Sequence, residues 1–145
     1  MSLNLIDVFR IDFRTSAEAD ALNSSLQKSL KFDYRYQPAR IGISLSLGRR
    51  TAPSPVSDLL GKPIRGETLF GQEESELALW VALIFEHSSS PQLTKKDLTE
   101  LVAAHWHRGM RLLAEQIGNW DEEPHSFLLH LANEETFLPM EAETF

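Results

Sequence analysis

The chain has 145 residues, a formal net charge of −7 and no cysteine. This length suits one domain with its own hydrophobic core, and no apolar stretch is long enough to span a membrane. The lack of cysteine excludes disulfides, thiolate metal sites and thiol chemistry. We expect a cytoplasmic protein without a secretion signal, since the N-terminus has no basic region followed by an apolar run.

Charge is divided unevenly along the chain. Residues 1–70 contain 10 Lys and Arg against 7 Asp and Glu, whereas residues 71–145 contain 4 against 14. The whole-chain charge argues against a general nucleic-acid binder, but the basic front half leaves room for a local anion-binding surface.

The chain opens with an alternating segment at residues 8–14. Phe9, Ile11 and Phe13 share one face, while the intervening positions are charged. This period of two predicts a half-buried strand with a charged outer face.

Four principal helices follow in the predicted order. Thr15 or Ser16 offers a cap for a helix over residues 17–30, and Pro38 suits the first turn of a second helix that ends at Gly48. Residues 72–88 form a third helix, apolar nearly all round, which is therefore either central to the core or covered by another subunit. A fourth runs from the capping-box-like Thr94 to Ile117 with a clear helical period.

The remaining segments are predicted to lie outside these helices. Residues 49–71 are rich in Pro and Gly, which predicts a long surface loop with a short turn near residues 57–60. Residues 120–145 are acidic and include a short helix over residues 126–133. We therefore expect a mainly α fold with a short N-terminal strand, one domain over residues 1–119, and an acidic C-terminal extension over residues 120–145.

Candidate DNA-binding residues lie near the predicted helix ends and in the long loop. Phosphate binding needs exposed cations along a backbone, although a solvated surface of mixed charge also explains any single one of them. The pair that directly follows the second helix is the best candidate. The assigned residues are Arg40, Arg49, Arg50, Lys62, Arg65, Arg14 and Lys28.

Catalytic and metal sites are not expected. His105 and His107 are two positions apart on a helix, so their side chains point about 200° apart and cannot share one ion. No serine has the glycine pattern of a nucleophile elbow, and no glycine loop suits a bound nucleotide. We expect a protein that is not an enzyme and needs no cofactor.

Three stretches, taken in order, resemble one family. They are PARIGISLSLG, GETLFGQEESELALWVALI and LTELVAAHWHRGMRLL. Their shared elements are Arg40 before a serine-containing apolar run, a turn at residues 68–71, and a His-x-x-Arg-Gly element at His105, Arg108 and Gly109. In this order they are similar to the DndE family, accessory proteins of bacterial DNA sulfur modification (phosphorothioation), over about residues 13–117.

The resemblance implies a helical protein that forms a homo-oligomer, commonly a tetramer, and binds duplex or nicked DNA through basic residues. It also implies that partner proteins carry out the sulfur chemistry, with which a cysteine-free chain agrees. Gly109 would let a neighbouring helix approach closely, and Arg108 would pair with an acidic group at a subunit contact.

Three functions follow from these patterns. The first is a non-catalytic DNA-binding accessory subunit of phosphorothioate modification. The second is a scaffold that bridges the modification enzymes without touching DNA, which the acidic rear half favours. The third is a ribbon–helix–helix regulator that reads bases through Arg10 and Arg14, since strand, helix, turn and helix follow in that order.

Overall fold

The computed structural model describes residues 3–90 and 93–133. The elements, in chain order, are α1 (Leu5–Phe9), β1 (Asp12–Phe13), α2 (Ala17–Ser29), α3 (Tyr36–Leu47), β2 (Ile64–Arg65), α4 (Gly66–Leu69), α5 (Glu74–Ser88), α6 (Lys95–Gly118), a 3₁₀ turn (Pro124–Ser126) and α7 (Phe127–Asn133). The mainly helical class is confirmed. Within these residues no helix combines the length and apolar character needed to cross a membrane.

The long helix α6 is the centre of the core. Its buried face runs from Leu98 to Leu113, and the ring of Trp106 between them is completely buried. The Trp106 indole Nε1 donates a hydrogen bond of 3.0 Å to Asn23 Oδ1 on α2. This bond satisfies the one polar atom of the ring, so the large apolar surface can be buried without an unpaired donor.

Helices α2 and α3 occupy the positions expected from the sequence. Ser16 caps α2, because its Oγ accepts the backbone N–H of Ala19. Pro38 lies in the first turn of α3, where its missing N–H costs nothing. The capping box of α6 is also present, formed by Thr94 and Asp97.

The predicted strand over residues 8–14 is wrong in its first part. Asn4 Oδ1 accepts the Ile6 backbone N–H and starts the short helix α1, which takes in Val8 and Phe9. Only residues 12 and 13 are extended, and they pair antiparallel with β2 in the same chain. A ribbon–helix–helix protein pairs this strand between two chains, so the regulator hypothesis gains no support here.

The segment after α3 contains structure that the sequence did not predict. Instead of an unbroken loop to Gly71, it ends in β2 and the single turn α4. Phe70, which directly follows α4, packs edge-on against Phe13 with ring centroids 5.4 Å apart. Both rings are buried, so this end of the segment belongs to the core.

Helix α5 is only partly buried within the chain, so it is not central to the core, and its covering by another subunit stays a prediction. Leu77, Val81 and Ile84 are buried, but Leu79 is 60% exposed and Leu83 is 45% exposed. The two exposed leucines are one turn apart and form an outward apolar stripe. At the C-terminus, the predicted helix over residues 126–133 is confirmed as the 3₁₀ turn followed by α7. The rest of the acidic extension, residues 134–145, lies outside the described residues.

Candidate nucleic-acid interface

Two glycines set the position of α3 on α6. Gly42 and Gly109 face each other, and a Cβ atom added to Gly109 would overlap the Gly42 carbonyl group. The two helix backbones are therefore in direct contact, as expected from the small residue at Gly109. This contact brings the C-terminal end of α3 over the middle of α6.

The side chain of Ser46 connects these helices next to the glycine contact. Its Oγ accepts a hydrogen bond of 2.8 Å from Arg108 Nε and lies 2.8 Å from His105 Nδ1. Since the hydroxyl oxygen already accepts from Arg108, the arrangement that satisfies both neighbours has the Ser46 O–H donating to His105 Nδ1. His105 then carries its proton on Nε2, which has no hydrogen-bond partner within the described part of the chain.

His105 is held in its neutral form. The residue has no exposed surface, and burial lowers its pKa to about 3, with smaller contributions from His87 and Arg108. The His87 ring packs edge-on against it, with centroids 4.7 Å apart. His87 Nε2 in turn donates a hydrogen bond of 2.6 Å to the Arg49 carbonyl, which ties the end of α5 to the end of α3.

The guanidinium of Arg108 is fixed by neutral oxygen atoms. Besides the bond to Ser46 Oγ, Nη2 donates to the Ser46 carbonyl at 2.8 Å and Nη1 donates to Thr51 Oγ1 at 3.1 Å. These partners orient the group without cancelling its charge. Within the described residues the hydrogen-bond partners of Arg108 are one carbonyl and two hydroxyls, and its pairing with an acidic group at a subunit contact stays a prediction.

Arg49 lies beside Arg108. The Ser46 carbonyl that accepts from Arg108 also accepts the Arg49 backbone N–H at 3.0 Å. Burial lowers the pKa of Arg108, and the neighbouring positive charge of Arg49 lowers it further. The repulsion between these two positive charges opposes folding slightly, and an anion bound between them would offset it.

Five of the seven residues assigned to DNA fall into two groups at opposite ends of α3. Arg49 and Arg50 are exposed and directly follow the helix. The second group lies around β2 and the start of α3, roughly 20 Å away at 1.5 Å per residue. In that group Arg14 donates to the Gly61 carbonyl, Lys62 is exposed, and Arg65 lies 3.9 Å from Glu67.

The last two assigned residues have separate environments. Arg40 Nε donates to the Leu69 carbonyl at 2.6 Å and Nη2 to the Thr68 carbonyl at 3.1 Å, and its guanidinium lies over the Tyr36 ring. It therefore fastens α3 to α4. Lys28 is exposed in the last turn of α2. The structure thus brings Arg49 close to Arg108, a residue that the sequence did not assign to DNA.

Comparison with known proteins decides the family. A family model described as DNA sulphur modification protein DndE matches residues 12–119. The chain belongs to the DndE family. Curated proteins show no significant match to it. The family match covers all the residues of the Ser46, His105 and Arg108 network, and DndE membership links the chain to DNA sulfur modification.

Proposed function

We propose that this DndE-family chain is a non-catalytic, DNA-binding accessory subunit of DNA sulfur modification. It contacts the phosphate backbone of duplex or nicked DNA at the C-terminal end of α3, through Arg49, Arg50 and Arg108. The observation that carries this function is the fixing of Arg108 by neutral oxygens beside Arg49. A cation that is already oriented and still charged is suited to a phosphate oxygen.

The other assigned residues extend this surface in the proposal. Arg14, Lys28, Arg40, Lys62 and Arg65 make secondary phosphate contacts or contribute to the positive potential. Arg14 and Arg40 each donate to main-chain carbonyls, which carry no formal charge to offset that of the arginine. Arg65 is the least favourable of these phosphate contacts, because the neighbouring Glu67 carboxylate offsets part of its charge.

The chain acts as a homo-oligomer, a tetramer by likeness to its family, and other modification proteins supply the sulfur chemistry. The exposed Leu79 and Leu83 on α5 support a subunit contact, because an outward apolar stripe is stabilised when another surface covers it. A non-catalytic role agrees with the environment of Ser16, which lies 2.6 Å from His107 Nδ1. Ser16 is only 2% exposed and caps α2, so it is poorly placed as a nucleophile.

A scaffold that bridges modification enzymes without touching DNA is the second candidate. The excess of acidic residues in the second half of the chain favours it. A gel-shift titration of the full chain with intact and nicked duplex at two salt concentrations separates the two functions. A protein that binds the DNA backbone loses affinity steeply as the salt concentration rises, with a log–log slope of about −0.9 per neutralised phosphate. A scaffold that does not contact DNA shows no shift of either duplex at either salt concentration.

A further inference from the structure

A groove of about 750 Å³ lies between the loop after α3 and the N-terminal half of α6. Its floor and walls are largely apolar, and the apolar residues that line it include Val56, Leu59, Leu93, Leu101 and Ala104. This volume is within the range of sites that hold one or a few side chains of a binding partner.

The groove is already shaped in the free chain. Asp58 fastens the loop, since its Oδ1 accepts the backbone N–H groups of Ala17 at 2.9 Å and Leu60 at 3.1 Å. Pro53 and Pro55 restrict the same loop, and the opposite wall is the regular helix α6. A partner would therefore meet a preformed surface and lose little affinity to ordering it.

Carboxylates border this apolar surface. Asp58, Asp97 and Glu100 line the groove, and among its described lining residues there is no lysine or arginine. Backbone N–H bonds lower the pKa values of Asp58 and Asp97 further below neutral, and both groups are ionised at pH 7. Lys96 lies next to Asp97 and offsets part of that charge.

We propose that this groove binds a short segment of a partner protein that carries apolar side chains together with lysine or arginine. The apolar residues of the segment fill the space between Leu59 and Leu101, and its cations meet the bordering carboxylates. Nucleic acid is excluded by charge. The chain's own residues 134–145 are equally unsuited, since they contain four glutamates and no basic residue.

The groove begins close to the proposed DNA surface but is separate from it. Thr51, which holds the Arg108 guanidinium, is two residues before Pro53 in the same loop. A partner in the groove would therefore lie next to the bound phosphate backbone. This partner site goes beyond DNA binding, and its variants are expected to leave the salt dependence of DNA binding unchanged.

Two synthetic amphipathic peptides test the site on the full chain, one of leucine and lysine and the other with glutamate in place of lysine. We expect the lysine peptide to bind saturably in a fluorescence anisotropy titration, and the glutamate peptide to bind far more weakly. In ¹⁵N correlation spectra the lysine peptide should shift the backbone signals of Val56, Leu59, Leu101 and Ala104.

Matched variants supply the controls. Leu59→Ala should weaken binding, whereas Leu60→Ala should not, because the neighbouring Leu60 is 77% exposed and does not line the groove. Glu100→Lys should weaken the lysine peptide about fivefold, and Glu115→Lys, with the same charge change elsewhere on α6, should not. Absence of saturable binding, equal binding of the two peptides, or equal effects within either variant pair would overturn the assignment.

Discussion

Arg108 donates two hydrogen bonds of 2.8 Å to Ser46, one to the side-chain Oγ and one to the main-chain carbonyl. The two residues are 62 positions apart in the sequence and lie on different helices. This pairing fixes the direction of a charged group at the end of α3. It also gives each residue of the His-x-x-Arg-Gly element of α6 a structural role: His105 and Arg108 bind Ser46, and Gly109 allows the helices to meet.

The Arg108→Lys variant should show how much DNA affinity depends on the fixed orientation of the guanidinium, since it keeps the positive charge. A single ammonium group cannot reproduce the three hydrogen bonds to Ser46 and Thr51, so the free energy of unfolding should fall by about 1–2 kcal/mol. Affinity for duplex DNA should fall several-fold although the net charge is unchanged. Arg111→Lys is the control, since Arg111 makes one exposed ion pair with Glu18. Equal DNA affinities for the two variants would show that Arg108 is not part of the DNA interface.

The helix contact should be intolerant of a single methyl group. Gly109→Ala places a Cβ atom onto the Gly42 carbonyl, so we expect a loss of about 1–3 kcal/mol in urea denaturation. Gly118→Ala is the matched control on the same helix, because a Cβ there has no heavy atom within 4 Å. A Gly109→Ala protein as stable as the control would show that α3 and α6 do not pack in this way.

Stability should decrease as the pH falls below the ordinary pKa of histidine. The folded chain lowers the pKa of His105 from 6.5 to about 3, so between these values the unfolded chain binds more protons than the folded one. The stabilising contribution of neutral His105 is complete above pH 6.5 and is lost progressively on acidification, by at most about 1.4 kcal/mol per pH unit.

The difference between the wild type and His105→Gln isolates this effect from other groups. Urea denaturation at pH 7 and pH 5 should show a smaller loss of stability on acidification for the variant. The exposed His125→Gln should behave like the wild type. Parallel pH dependences for the wild type and His105→Gln would mean that the histidine is not buried in its neutral form.

The outward stripe of α5 should report on self-association. Leu79→Glu and Leu83→Glu introduce charge on a surface that the oligomer is proposed to cover, and we expect the mass measured by light scattering to fall toward that of one chain. Leu60→Glu, at a more exposed leucine elsewhere, should leave the mass unchanged. An unaltered mass for the α5 variants would place the subunit contact on another surface.

The helices were predictable because their signals are local. The capping box of Thr94 and Asp97, the cap at Ser16 and the apolar period of α6 can all be read from neighbouring residues, and each is present. The error over residues 8–14 has a local cause as well. The Asn4 side chain caps a short helix there, and this outweighs the alternation of apolar residues.

What the sequence could not supply were contacts between distant segments. Strand β2 is only two residues long and exists because Arg65 pairs with Asp12. Likewise, Arg49 and Arg50 stand out as a basic pair after an apolar helix, but nothing local relates them to Arg108 in the middle of α6. The close spacing of His105, Arg108 and Gly109 is the sequence feature that marks this site. The structure shows what relates them, because His105 and Arg108 both contact Ser46.

The salt dependence of duplex binding by the double variant Arg49→Glu/Arg50→Glu tests the proposed DNA surface most directly. Anisotropy titrations with intact and nicked duplex should give a much weaker affinity and a salt slope shallower by about two than the wild type, since two phosphate contacts are lost. Lys95→Glu/Lys96→Glu, an equal charge change at the far end of α6, should bind with a nearly unchanged slope. Two results would contradict this account: both variants bind with the wild-type salt slope, or both make the slope shallower by the same amount. In either case the end of α3 is not where this protein contacts DNA.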